Sequence, residues 1–288
     1  MQQRNSDADL EGDIRRTYAG TPVRVRVSGP LTSGGHSLLL LHGWGSRIEH
    51  MWPLAAYFPE DTRIVAVDMP GHGESPPPSE PWGVARHVQL VEELIADLTR
   101  GPLVIVGHSN GGRIALTMAA SDAPPANLEA LVLVAPSGIR RKPTAKVRFK
   151  RAVARLLKAP FTLLPGRLGE GGVDWLRHSL VWRMLGSSDY RSLEGVMRAT
   201  FVQTVNHYVE DVLDRIDMPV LVLRGAADRD VTRDQTDRLV AGLADAGYFE
   251  VEGAGHFAQT ERPDVVAGAI RKLITAEASP GRAAEASA

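Results

Sequence analysis

Leu103-Val104-Ile105-Val106-Gly107-His108-Ser109-Asn110-Gly111-Gly112 decides the fold of this chain. Four branched apolar residues in succession predict a strand buried on both faces, as in a parallel sheet covered by helices. The run breaks at Gly-His-Ser-Asn-Gly and resumes as Arg113-Ile114-Ala115-Leu116-Thr117-Met118-Ala119-Ala120, a helical composition. The pattern is strand, sharp turn, helix. Gly107 and Gly111 suit a turn in which strand and helix approach too closely for a Cβ. Ser109 is thereby forced to the tip, with its hydroxyl exposed and a helix N-terminus behind it. The Asn110 N–H then points to where an oxyanion would form.

A chain of 288 residues can hold one large α/β domain with an inserted subdomain. The formal net charge of -1 gives no general attraction to nucleic acid or to an anionic membrane. Cysteine is absent, which excludes disulfides, a thiol nucleophile and cysteine-bearing metal sites. The polar start, Met1 to Leu10, lacks the apolar core of a secretory signal. No apolar run approaches the roughly 20 residues of a membrane-spanning helix. The expectation is a soluble, cytoplasmic protein with no transmembrane segment, a flexible N-terminus over 1–15 and a disordered tail over 276–288.

Outward from the central motif, the chain alternates strand and helix. Val23 to Val27 alternates apolar and basic residues and reads as an antiparallel or edge strand with one wet face. Leu38 to Leu41 is a buried strand ending in His42-Gly43-Trp44-Gly45, and Arg63 to Asp68 is another, closed by Met69-Pro70-Gly71-His72-Gly73. Gly83 to Leu98 carries apolar residues at helical spacing. Ala130 to Ala135 is a further strand. Strands at Val220 to Leu223 and Tyr248 to Val251, with helices near Asp234 to Leu243 and Asp264 to Thr275, resume the alternation after an interruption. Residues 138–214 show helical periodicity without strands and read as a cap inserted into a core of 16–137 and 215–275. Such an insertion lies over the C-terminal sheet edge, where α/β proteins bind ligands.

A serine hydroxyl needs a base to take its proton, and that base needs an acid to orient it. Asp228 lies in the turn after Val220 to Leu223, in Gly225-Ala226-Ala227-Asp228. Asp230, two residues on, competes with it and reads better as a helix cap or an arginine partner. His256 follows the last strand in Gly253-Ala254-Gly255-His256-Phe257. His42, His72 and His108 lie in motif loops and read as structural. No pair of histidines shares a helix face with a carboxylate at metal-ligand spacing, so neither a metal nor a cofactor is expected. The glycine-rich turn lacks the Gly-Lys-Ser/Thr ending of a phosphate loop.

These motifs, in this order, resemble the α/β-hydrolase superfamily in its cap-bearing branch, over about Val23 to Thr275. Gly138-Ile139-Arg140-Arg141-Lys142-Pro143, Ser188 to Arg191 and Val196 to Arg198 are similar to a group of bacterial α/β hydrolases. The resemblance implies a mostly parallel sheet with helices on both faces and a helical cap. It implies Ser109 as nucleophile, His256 as general base, Asp228 as its orienter, and the Trp44 and Asn110 N–H groups as an oxyanion hole. A serine in the nucleophile slot, in place of aspartate, points to an acyl-enzyme route and excludes the haloalkane dehalogenase and soluble epoxide hydrolase chemistries. The expected activity is that of a serine esterase on a small acyl substrate. Gly255 to Gln259 is also similar to carbon–carbon-bond hydrolases of ring-cleavage pathways, although Phe257 and the His-Gly-Trp-Gly loop depart from their pattern. A non-catalytic ligand-binding homologue is the third reading, and the intact Ser, Asp and His argue against it.

Gly138 to Gly169 holds ten basic residues, Arg140, Arg141, Lys142, Lys146, Arg148, Lys150, Arg151, Arg155, Lys158 and Arg167, and no acidic one. This composition is a solvated cap face, a device that draws an anionic substrate, or a contact for an anionic surface. Trp175 to Leu185 reads as a second cap helix that packs on the sheet or lines an acyl pocket.

Overall fold

Every strand expectation inside the core is met by a strand in the computed structural model, which describes residues 11–31, 34–142 and 193–277. The strands are β1 (Gly12–Tyr18), β2 (Thr21–Ser28), β3 (Ser37–Leu41), β4 (Arg63–Val67), β5 (Leu103–His108), β6 (Leu128–Val134), β7 (Val220–Gly225) and β8 (Ala246–Val251). They form one sheet in the order β1-β2-β4-β3-β5-β6-β7-β8. The β1–β2 and β2–β4 pairs are antiparallel and the others parallel. This is the α/β-hydrolase fold.

The helices among the described residues are α1 (Val84–Leu98), α2 (Asn110–Ala119), α3 (Gly195–Val205), α4 (Arg233–Gly242), the single turn α5 (Ala258–Glu261) and α6 (Pro263–Glu277). Alternate residues of the central strands feed two cores. Leu39, Leu41 and Ile105 join α1, α2 and α4 on one face. Leu38, Leu40, Val104 and Val106 join α6 and the short turns of Ile48–Tyr57 on the other. A run such as Leu38 to Leu41 is apolar throughout because both of its faces are covered. None of the described helices is long and apolar enough to cross a membrane.

Three boundaries differ from the sequence reading. Residues 12–15, assigned to a flexible N-terminus, belong to β1 and pair with β2 from Gly12↔Val27 onward. The last helix runs to Glu277, so it includes two residues assigned to the tail. Val209 and Leu213, assigned to the cap, sit in the core cluster beneath α2 and α4. β2 is antiparallel to both of its neighbours, one of the two placements its alternation predicts, but its basic face is not wet. β1 covers its outer side, and Arg24 is buried among Asp13, Glu49, Asp68 and Glu74. The expectations for residues 1–10, for most of the basic stretch beyond Lys142, for Trp175 to Leu185 and for 278–288 lie outside the described residues.

Candidate active site

Ser109 sits between β5 and α2 with φ 49° and ψ -108°. A non-glycine residue in this region is strained and persists only where its surroundings fix it. Here its N–H donates to the Val134 carbonyl, and its own carbonyl accepts from the Arg113 and Ser137 N–H groups. The elbow glycines behave as the sequence requires. A Cβ on Gly111 would stand 2.2 Å from the Leu41 carbonyl oxygen, and one on Gly107 would stand 2.7 Å from Gly112 Cα.

Asp228 follows β7 and His256 follows β8, at the same C-terminal edge of the sheet as Ser109. Asp228 Oδ2 lies 3.1 Å from His256 Nδ1, while Oδ1 accepts from the N–H groups of Asp230 and Val231. Burial alone would raise the Asp228 carboxyl. The His256 hydrogen bond and charge, with those two amides, outweigh it and hold the group below the usual carboxylate range. With Nδ1 engaged, His256 keeps Nε2 for another partner. Asp230 does not cap α4, which Thr232 caps in a capping box with Gln235; its side chain is exposed, and no arginine among the described residues pairs with it. The ligand atoms of Asp228, Asp230 and His256 lie within 4.8 Å of one another. The Asp228 oxygens are already spent on hydrogen bonds within the protein, which leaves this trio a poor fit for a metal ion.

Ser109, His256, Trp44 and Asn110 line one cavity of about 790 Å³, as bounded by the described residues. Asn110 opens α2, so its N–H has no intrahelical acceptor. Trp44 follows β3 and packs edge-on against His72 and Phe201, with ring centroids 4.8 and 5.0 Å away. His42, buried, holds the base of this loop: Nδ1 donates to the Gly43 carbonyl and Nε2 accepts from the Met69 N–H.

Two contributors were not singled out from sequence for what they do here. His108 donates from Nε2 to the His256 carbonyl and packs against the His256 ring at 4.9 Å. Burial pushes it down to about 3, so it is a neutral strut between the elbow and the His256 loop. Arg113 is the second. It lies one helical turn past Ser109, is buried, and lines the cavity. Its i+4 spacing from Ser109 was the available signal.

The chain belongs to the alpha/beta hydrolase family, whose model matches residues 38–269. It is 26% identical over 274 residues to a 2-(acetamidomethylene)succinate hydrolase of Mesorhizobium japonicum, covering 88% of this chain and 91% of that one. It is 24% identical to a monoacylglycerol lipase of Homo sapiens over 80% of this chain and 73% of the relative. Among solved structures, an enol-lactonase from Burkholderia xenovorans has a TM-score of 0.66 at 22% identity, over 91% of this chain and 100% of the other. The last likeness concerns the fold alone.

Proposed function

We propose that this α/β hydrolase is a serine hydrolase that cleaves a carboxylic ester or related acyl bond through an acyl-enzyme. The single observation that carries the reading is the Asp228–His256 contact of 3.1 Å beside a strained Ser109 on the same cavity. Ser109 Oγ attacks the acyl carbon as His256 Nε2 takes its proton. The N–H groups of Trp44 and Asn110 receive the charge that develops on the carbonyl oxygen. Collapse of the tetrahedral adduct expels the leaving group, which takes the proton from His256. Water then attacks the acyl-enzyme, again with His256 as base, to release the acid and restore the serine. Asp228 keeps His256 in the tautomer that bears its proton on Nδ1 and stabilises the imidazolium. Relatives that hydrolyse a substituted succinate and a monoacylglycerol support acyl-type chemistry.

The test is intact-mass analysis after exposure to a fluorophosphonate. The expected result is one phosphonyl adduct on the wild type and none on Ser109→Ala. A folded wild type that gains no adduct, or a variant that still labels, overturns the reading.

A further inference from the structure

The wall of the cavity beside Ser109 carries buried polar groups that the proposed chemistry does not use. Arg113 Nε, Ser137 Oγ and Thr204 Oγ1 are all buried, have no hydrogen-bond partner among the described residues, and belong to cavity-lining side chains. Buried polar atoms are seldom left unpaired, and three of them on residues lining one cavity point to a polar ligand.

Arg113 dominates the set because it carries a charge. Only 6% of the residue is exposed. Of the five N–H donors of a guanidinium, one is used, from Nη1 to Asn110 Oδ1 at 3.0 Å. No carboxylate pairs with it among the described residues. Burial lowers it only to about 10, so it stays protonated at neutral pH. The neighbouring cations differ. Arg140 pairs with Glu210 and Asp211, Lys142 with Asp234, and Arg238 with Glu210 and Asp234. Those pairings neutralise Arg140 and Lys142 and leave Arg113 as the buried, unpaired cation among the described lining residues. Arg141, exposed at the rim, adds a second positive charge, and Asp230 places one negative charge near His256.

An isolated buried charge is costly unless something neutralises it. A planar guanidinium with adjacent free N–H groups matches a carboxylate, which accepts two parallel hydrogen bonds and cancels one charge. We propose that Arg113 is the anchor for a substrate carboxylate, so that the preferred acyl substrates carry a carboxylate in addition to the scissile bond. The proposal rests on Ser109 as the nucleophile for its catalytic part and on the cavity wall for its binding part.

The test compares mono-p-nitrophenyl glutarate with p-nitrophenyl valerate, which are similar in length and differ in the terminal carboxylate. The wild type prefers the glutarate ester. Arg113→Gln lowers kcat/KM for that ester by roughly ten- to a hundredfold, mainly through KM, because a charged hydrogen-bond pair is lost. The loss on the glutarate ester exceeds that on the valerate ester by about tenfold or more, because only the former offers a carboxylate to the guanidinium, whatever share both lose with the Arg113–Asn110 hydrogen bond. Arg113→Lys keeps part of the preference. Equal losses on both esters would show that Arg113 merely holds Asn110 and the elbow, and would overturn the proposal, as would a wild type without preference. A second measurement separates this proposal from the serine chemistry: calorimetric binding of glutarate to Ser109→Ala, lost in Ser109→Ala/Arg113→Gln. Arg113-dependent binding in a protein that never labels with fluorophosphonate keeps the anchor and removes the nucleophile. Labelling without Arg113-dependent binding does the reverse.

Discussion

Asp228 and Asp230 stand two residues apart in one turn, and the local geometry divides them sharply. Asp228 is buried, faces His256 through Oδ2 and is fixed by two amides through Oδ1. Asp230 gives Asp228 its backbone N–H and leaves its own carboxylate exposed at the cavity, near His256 but engaged by neither Asp228 nor His256. Asp228→Asn leaves the turn folded and removes the charge that holds the His256 tautomer, so kcat should fall by about 10⁴-fold. Asp230→Asn should stay within about threefold of wild type, as most surface substitutions do in stability and packing. Steady-state turnover of p-nitrophenyl valerate checks both. Comparable losses in the two variants would put the orienting acid elsewhere. The candidate trio was legible because each member follows the C-terminal end of a strand, where the side chain has no choice but the cleft. Arg113 was not, because an arginine within a helix reads as solvated unless its neighbours are known. Thr204 was illegible for a different reason: it reaches the cavity from α3, a segment whose placement over the sheet is a tertiary fact.

Elements with two covered faces announced themselves. Leu38 to Leu41 and Leu103 to Val106 are apolar at every position because helices shield both sides, and a short uninterrupted apolar run has few other uses. β1 was missed because Gly12–Tyr18 shows only Ile14 and Tyr18 as apolar positions among polar neighbours. Pairing with β2 across a tight hairpin turn and the ion pairs of Asp13 to Arg24 and Arg26 hold it, and none of these shows in the apolar pattern of Gly12–Tyr18 itself. The start of α4 was misread in detail for a similar reason. The Thr232 hydroxyl accepts from the Gln235 N–H, while the Gln235 side chain accepts from the Thr232 N–H. Loss of such a cap costs about 1 kcal/mol. Thr232→Ala should therefore lower unfolding stability in urea by about that amount and leave fluorophosphonate labelling at the wild-type rate. A labelling defect would mean that the start of α4 helps to set the Asp228 turn.

At the scale of the whole molecule, the same burial that shapes the site makes the fold sensitive to acid. Burial lowers His42 and His108 to about 3 and His87 to about 4, against an ordinary value of 6.5. His72 is lowered as well, for the same reason. Each ring is tied to a backbone carbonyl: His42 to Gly43, His72 to Pro70, His87 to Gly83 and His108 to His256. In the unfolded chain these rings take up protons as pH falls through about 6.5, whereas the folded chain refuses them until far lower pH. The unfolded state thus binds more protons, and folding stability declines as pH drops below 6.5. With the three most strongly shifted rings contributing, the slope approaches about 4 kcal/mol per pH unit once the unfolded chain is fully protonated at them. The depressed Asp13 carboxyl, at about 2, acts in the same direction but only below about pH 4. The three rings together remove about 6 kcal/mol by pH 5 and about 10 kcal/mol by pH 4, so a domain with a stability of about 5–10 kcal/mol should unfold over that range. Urea midpoints measured from pH 7 to 4.5 check this. His87→Gln, remote from the candidate site on α1, should reduce the slope by about 1.4 kcal/mol per pH unit. A stability that stays flat over that range, or a slope unchanged by His87→Gln, would mean that these rings are protonated within the folded protein and that their carbonyl contacts are remade on acidification.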